Sequence, residues 1–125
     1  MADTYYSKEH EWVKVDGGIA TMGITDYAAK QLGDVTFVEL PKVGKDVKQF
    51  EAICNIESVK AASDIFAPVS GNVIEVNDAL EVTPEIVNES AEEKAWIARI
   101  RMADAGELAK LMGRGEYDAY LGGLE

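Results

Sequence analysis

The sequence is poor in residues that carry chemistry by themselves. Its 125 residues hold one cysteine and one histidine. Cys54 has no partner for an internal disulfide, so folding needs no oxidising compartment. His10 has no second histidine and no neighbouring cysteine with which to build a metal site, and reads as a structural, hydrogen-bonded residue. Positive charge is also scarce: 12 Lys+Arg against 23 Asp+Glu leave a net charge of −11. Phosphate backbones and anionic membrane surfaces are bound by Lys and Arg, so neither nucleic acid nor a membrane is expected as a partner. No apolar run approaches the roughly 20 residues of a membrane-spanning helix. Residues 1–6 show neither an apolar signal core nor an Arg-rich transit character. The expectation is a cytoplasmic monomer. No phosphate-binding glycine loop, paired-carboxylate spacing or Ser-His-Asp set stands out, so no self-contained active site is read.

What is present is a globular composition, 47% hydrophobic and 28% charged. Length suits one domain, residues 1–125, with a β core over about 9–102 and C-terminal helices over about 104–121. Residues 11–15 and 19–24 are short β-runs joined by Asp16-Gly17-Gly18, a hairpin signal. Thr25 caps a helix over 26–32, and Gly33 suits the position just past its end. A strand over 34–40 is stopped by Pro41, and 43–46 is a polar turn. Residues 50–59 place Phe50, Ala52, Cys54 and Ile56 on one face by period two, which makes Cys54 a buried, inert thiol. Residues 61–67 form another extended run. In 72–77, Ile74 and Val76 alternate with polar residues. Residues 77–93 are acidic, with a short helical stretch near 84–88. In 94–102, Trp96, Ala98, Ile100 and Met102 point inward; both tryptophans, Trp12 and Trp96, read as core. Asp104 with Glu107 resembles a capping box before the stripe Leu108, Leu111 and Met112, which Gly113 ends. Tyr117, Tyr120 and Leu121 form a second stripe before Gly122-Gly123, giving two C-terminal helices. Many short strands separated by turns predict a mainly β protein, a small barrel or sandwich with helices outside.

One lysine stands apart. Lys60 is the only basic residue between Gln49 and Glu93, and residues 61–93 hold eight acids and no base. It lies between two β-runs in Glu57-Ser58-Val59-Lys60-Ala61-Ala62, at or beside a hairpin turn. There its small neighbours leave it open to a modifying enzyme. The bland alternative is an ordinary solvated loop lysine. A Schiff-base nucleophile is a third reading, but it needs burial or a neighbouring cation, and the acidic surroundings supply neither. Glu11 is either a site carboxylate or the solvent side of a strand, and composition does not separate the two.

The segment Ile56-Glu57-Ser58-Val59-Lys60-Ala61-Ala62, with Ala67-Pro68-Val69-Ser70-Gly71 downstream, closely resembles the lipoyl-lysine region of the glycine cleavage system H proteins. His10-Glu11-Trp12, Gly23-Ile24-Thr25-Asp26, Leu32-Gly33-Asp34-Val35, Val38-Glu39-Leu40-Pro41, Glu75-Val76-Asn77 and Val87-Asn88 also match the family's pattern. Biotin carriers differ, since their modified lysine sits between methionines, whereas Val59 and Ala61 flank this one.

The resemblance implies a flattened lipoyl-domain β-sandwich (a barrel-sandwich hybrid) with short helices, two of them C-terminal, and lipoate in amide linkage on Lys60. Glu57, Ser58, Val59 and Ala61 would present the lysine to lipoylating enzymes. Glu11, Asp64 and Glu9 would line the cleft that receives the arm. The implied role is that of a carrier, not an enzyme. It would take an aminomethyl group from a pyridoxal-phosphate glycine decarboxylase to a tetrahydrofolate-dependent aminomethyltransferase, and dihydrolipoyl dehydrogenase would reoxidise the arm. Two departures stand out. Lys48-Gln49-Phe50-Glu51 lacks the family's turn glycine, and residues 88–96 lack its Pro-Tyr and the glycine before Trp96. They keep open an alternative in which the same carrier chemistry serves lipoyl relay or sulfur metabolism. An unmodified interaction module is the remaining rival.

Overall fold

The computed structural model describes residues 3–124. In chain order the strands are β1 (Asp3–Tyr6), β2 (Glu11–Asp16), β3 (Ile19–Ile24), β4 (Val35–Glu39), β5 (Asp46–Val47), β6 (Ala52–Ser58), β7 (Ala62–Phe66), β8 (Gly71–Val76) and β9 (Ala98–Met102). The helices are α1 (Asp26–Leu32), α2 (Ala79–Val82), α3 (Ile86–Ser90) and α4 (Arg114–Leu124). The strands form a six-stranded sheet, β1-β2-β3-β9-β8-β5, and a three-stranded sheet, β4-β6-β7. Every pairing is antiparallel.

The larger sheet contributes Val13, Ala20, Met22, Val73, Ala98 and Ile100 to one apolar core, and the smaller contributes Val38, Ile53, Cys54, Ile56 and Ile65. The fold is therefore mainly β, two sheets sharing a core, with no closed barrel among the described residues. Burial pushes the Cys54 thiol up, which suits an inert core residue. A second cluster, Tyr6, Trp12 and Tyr117, seats α4 against β1 and β2. Tyr6 and Tyr117 stack with centroids 4.8 Å apart. Trp12 donates its indole N–H to Ala91 O at 2.9 Å, and its ring lies 2.9 Å from where a Cβ on Gly23 would stand, so that position admits only glycine.

The structure corrects several sequence-based expectations. The β structure starts at Asp3 rather than near residue 9. Phe50 is not on a buried strand face: β6 begins at Ala52, and Phe50 has φ +67° and is 46% exposed. Register shifts break simple alternation in both strands concerned. One between Ala52 and Cys54 buries Ile53 together with Cys54. Another between Val73 and Glu75 buries Val73 and leaves Ile74 and Val76 half-buried. Trp96 lies outside β9, half-buried, with the Arg99 guanidinium 4.3 Å from its ring centroid. The expected first C-terminal α-helix is a 3-10 helix, Ala105–Lys110, in which no residue is fully buried and Leu108, half-buried, packs against the core. It caps on Asp104, which accepts from Gly106 N–H at 2.9 Å. The second helix continues through Gly122-Gly123 to Leu124.

Candidate functional site

Lys60 sits at the tip of the β6–β7 hairpin. Ser58 N–H donates to Ala61 O at 2.7 Å, leaving Val59 and Lys60 as the two tip residues. Ser58 fixes the tip with its side chain. Its hydroxyl oxygen accepts from Ala61 N–H at 3.1 Å and from Lys60 N–H at 3.4 Å, and the hydroxyl donates to Ala61 O at 3.2 Å. A small hydroxyl residue thus shapes the turn without covering the lysine. Glu57, Val59, Lys60 and Ala61 are all exposed. Val59 also ties the tip to the neighbouring loop, donating to Asp34 O at 3.0 Å.

That loop is built by glycine and asparagine. Thr25 caps α1, accepting from Ala28 N–H, and Gly33 ends it at φ +77° and ψ −153°. This is backbone territory that is essentially glycine's alone. A Cβ at Gly33 would stand 3.3 Å from Lys60 Cε, so the glycine also opens the space over which the lysine stem lies. From α3, Asn88 donates to Gly33 O at 2.7 Å and accepts from Val35 N–H at 2.8 Å. One side chain thereby holds both sides of the loop that carries the hairpin tip. Sequence reasoning gave Asn88 no role, because a contact spanning 55 residues has no local signature.

Beside the tip lies a cleft of about 520 Å³. Ala28, Leu32, Ala61, Ala62, Ile65 and Phe66 give it apolar walls, and Glu9, His10 and Asp64 give it polar edges. Asp64 is exposed and accepts from Asn55 at 3.1 Å. Glu9, also exposed, lines the same cleft. A second cavity of about 370 Å³ shares Glu9 and Phe66 with the first and is completed by Lys8, Phe50 and Lys110.

Glu11 is not in the cleft lining. It opens β2 with its side chain inward, 1% exposed. Its carboxylate accepts from Ser7 Oγ at 2.5 Å and from Phe66 N–H at 3.3 Å, so it lies one hydrogen bond behind the cleft wall. Burial pushes its pKa up to about 7; the Ser7 and Phe66 hydrogen bonds oppose the rise and Glu9 adds to it. His10, at φ +69°, has Nδ1 2.9 Å from Tyr117 Oη, which also lies 2.8 Å from Thr25 Oγ1. Burial lowers the His10 pKa, against a smaller opposing pull from Glu9. The histidine therefore fastens the β2 entry to α1 and α4. The structure brings Lys60, Asp64 and Glu9 around one cleft and sets Glu11 beneath it.

Comparisons with known proteins agree over nearly the whole chain. The glycine cleavage H-protein family model matches residues 4–123. A glycine cleavage system H protein of Parvibaculum lavamentivorans is 52% identical over 125 residues, covering 100% of both chains. That of Caulobacter vibrioides is 56% identical over 119 residues, 95% of this chain and 98% of its own. The crystal structure of a glycine cleavage system H protein from Mycobacterium marinum superposes with a TM-score of 0.88 at 32% identity, covering 96% of this chain and 97% of that one.

Proposed function

The chain belongs to the glycine cleavage H-protein family, and from that premise we propose that it carries lipoate in amide linkage on Lys60. The observation that carries the reading is the pairing of an exposed, small-flanked lysine at a braced hairpin tip with an apolar cleft beside it. The residues fit such a group. Gly33 leaves room along the lysine stem. Ala28, Leu32, Ala61, Ala62, Ile65 and Phe66 offer methylene-compatible walls for an acyl chain.

A lipoyl group held there would supply a disulfide able to accept an aminomethyl group; the partners this implies are a pyridoxal-phosphate glycine decarboxylase, a tetrahydrofolate-dependent aminomethyltransferase and, to restore the disulfide, dihydrolipoyl dehydrogenase. The chain's own residues do four things. Glu57, Ser58, Val59 and Ala61 present Lys60 to the lipoylating enzyme. Tethering raises the effective concentration of the arm at each partner in turn. Asp64 and Glu9 put negative charge at the cleft rim, where a cationic amine is attracted. Glu11, held by Ser7, anchors the Phe66 backbone and so fixes the cleft wall.

The test is reconstitution with a pyridoxal-phosphate glycine decarboxylase, following exchange of the glycine carboxyl carbon with bicarbonate. The expected result is exchange that needs lipoylated protein and vanishes in Lys60→Arg, which keeps the charge and takes no acyl group. Absence of exchange with fully lipoylated protein and active decarboxylase would instead favour a carrier serving lipoyl relay or sulfur metabolism.

A further inference from the structure

The outer face of the β4-β6-β7 sheet is open. Val38 and Ile56, paired across β4 and β6, point into the core and are fully buried, so their neighbours along each strand point outward. Phe37 pairs with Glu57 and Glu39 with Asn55, and Asn55 pairs in turn with Asp64 on β7. This face therefore holds an aromatic ring, 46% exposed, and the exposed carboxylates Glu39, Glu57 and Asp64. None of the three carboxylates forms an ion pair among the described residues. A lone exposed apolar side chain is ordinary on any protein. Phe37 is set apart by its mounting. One edge of β4 is paired with β6, Thr36 Oγ1 donates to Glu57 O at 3.2 Å, and Asn88 accepts from Val35 N–H at the start of the strand. An aromatic side chain on a fixed backbone, bordered by unpaired charge, has the make-up of an interface anchor with its polar rim.

Its place relative to Lys60 narrows the choice of partner. Glu57 precedes Lys60 by three residues, about 10 Å of strand, and Phe37 lies one strand across from Glu57, about 5 Å away. Phe37 is thus within about 11 Å of the Lys60 backbone. An interface of ordinary size covers about 800 Å² on each partner, a disc of about 16 Å radius. An enzyme that acylates Lys60 must bring its own active site to Nζ, so it covers the hairpin tip and the surface around it. Enzymes that use the loaded arm meet its far end, a whole acyl chain away, and have no need to touch this face.

We infer that the outer face of the β4-β6-β7 sheet is the docking surface for the enzyme that acylates Lys60, with Phe37 as its apolar anchor and Glu39 as part of its acidic rim. The inference rests on the carrier reading above and extends recognition from the hairpin to a strand that precedes it by more than a dozen residues. The partner it fits presents an apolar socket for the ring, bordered by Arg or Lys. Carboxylates without internal partners are free to pair with such a border, and they steer its approach. The sheet fixes the ring before contact, so docking orders little that was mobile.

The experiment uses the full-length unmodified protein as the substrate of a lipoate ligase supplied with ATP and lipoate. The ligase forms lipoyl-adenylate and pyrophosphate; the Lys60 amine then displaces AMP, loses a proton and becomes the amide. KM for the protein and kcat are measured separately for the parent, Phe37→Thr, Phe37→Tyr and Glu39→Lys. Threonine suits an exposed strand position, so Phe37→Thr is expected to unfold at the parent's temperature. It is expected to raise KM about fivefold or more with kcat unchanged, as the loss of an anchor would. Phe37→Tyr, which keeps the ring, is expected to stay near the parent. Glu39→Lys is expected to raise KM and to weaken its dependence on salt. Once lipoylated, Phe37→Thr is expected to support glycine carboxyl exchange by the decarboxylase at the parent's KM. Ligase KM values equal across parent, Phe37→Thr and Glu39→Lys would overturn this inference alone. So would a rise confined to the decarboxylase KM, or a parent dimer that Phe37→Thr dissociates, since another occupant would then cover the face. A parent Lys60 that no lipoylating enzyme modifies would overturn the carrier reading, and this inference with it.

Discussion

Asn88 and Gly33, 55 residues apart, are joined by a 2.7 Å hydrogen bond from the asparagine amide to the glycine carbonyl. The same side chain accepts from Val35 N–H at 2.8 Å. The loop between α1 and β4 is therefore held from α3, and it holds the lysine tip in turn through Asp34 O and Val59 N–H. Replacing Asn88 with Ala removes two hydrogen bonds, a loss of about 1–2 kcal/mol. Urea denaturation checks that figure. Lipoyl transfer to Lys60 by the ligase should slow in the same variant, because the tip loses its brace. Unchanged transfer kinetics would mean that the clamp serves stability alone.

Gly33→Ala addresses the same loop from within. At φ +77° and ψ −153° an L side chain is strained, at a cost of about 1–3 kcal/mol. The new methyl would also stand 3.3 Å from Lys60 Cε. The expected outcome is a lower thermal midpoint together with impaired lipoylation. A variant as stable as the parent would show that the loop relaxes freely.

Glu11 makes stability depend on pH in a direction opposite to that of most carboxylates. Its pKa rises from 4.5 to about 7 on folding, chiefly through burial. Between those values the folded protein binds more protons than the unfolded chain. Stability from this group is therefore fullest below about pH 4.5 and falls as pH rises through 7. A shift of this size corresponds to roughly 3 kcal/mol at most. Glu11→Gln keeps an acceptor for Phe66 N–H and removes the buried charge. Relative to the parent, the variant should gain stability at pH 8 and lose that advantage as pH approaches 4.5. A stability difference that does not change with pH would contradict the assignment.

Much of this site was legible in the sequence. The β-runs either side of Lys60 and the small residues around it are local features, and they fold as read; the carboxylates Glu9 and Asp64 were singled out only by the family resemblance. The Thr25 cap and Gly33 stop are local too, and both are in place. What was not legible is long-range or depends on register. Ile53 and Val73 reach the core only because register shifts in β6 and β8 reset the alternation. Glu11 points inward because Ser7 and Phe66 supply hydrogen-bond donors there, and no spacing rule pairs residue 11 with residue 66. The apolar stripe near Leu108 fits a 3-10 helix as well as an α-helix over so short a span. At Phe50 the missing family glycine marked an unusual position, but period two placed the ring in the core, whereas the residue has a positive φ and is exposed, lining the second cavity.

The central claim is that Lys60 bears the group through which the protein acts. Its most direct test is the mass of the peptide spanning Lys60, from protein isolated from its native cell. The account predicts that Lys60 carries the added mass of a lipoyl group in amide linkage. A bare Lys60, in cells whose other lipoyl proteins are modified, would contradict it.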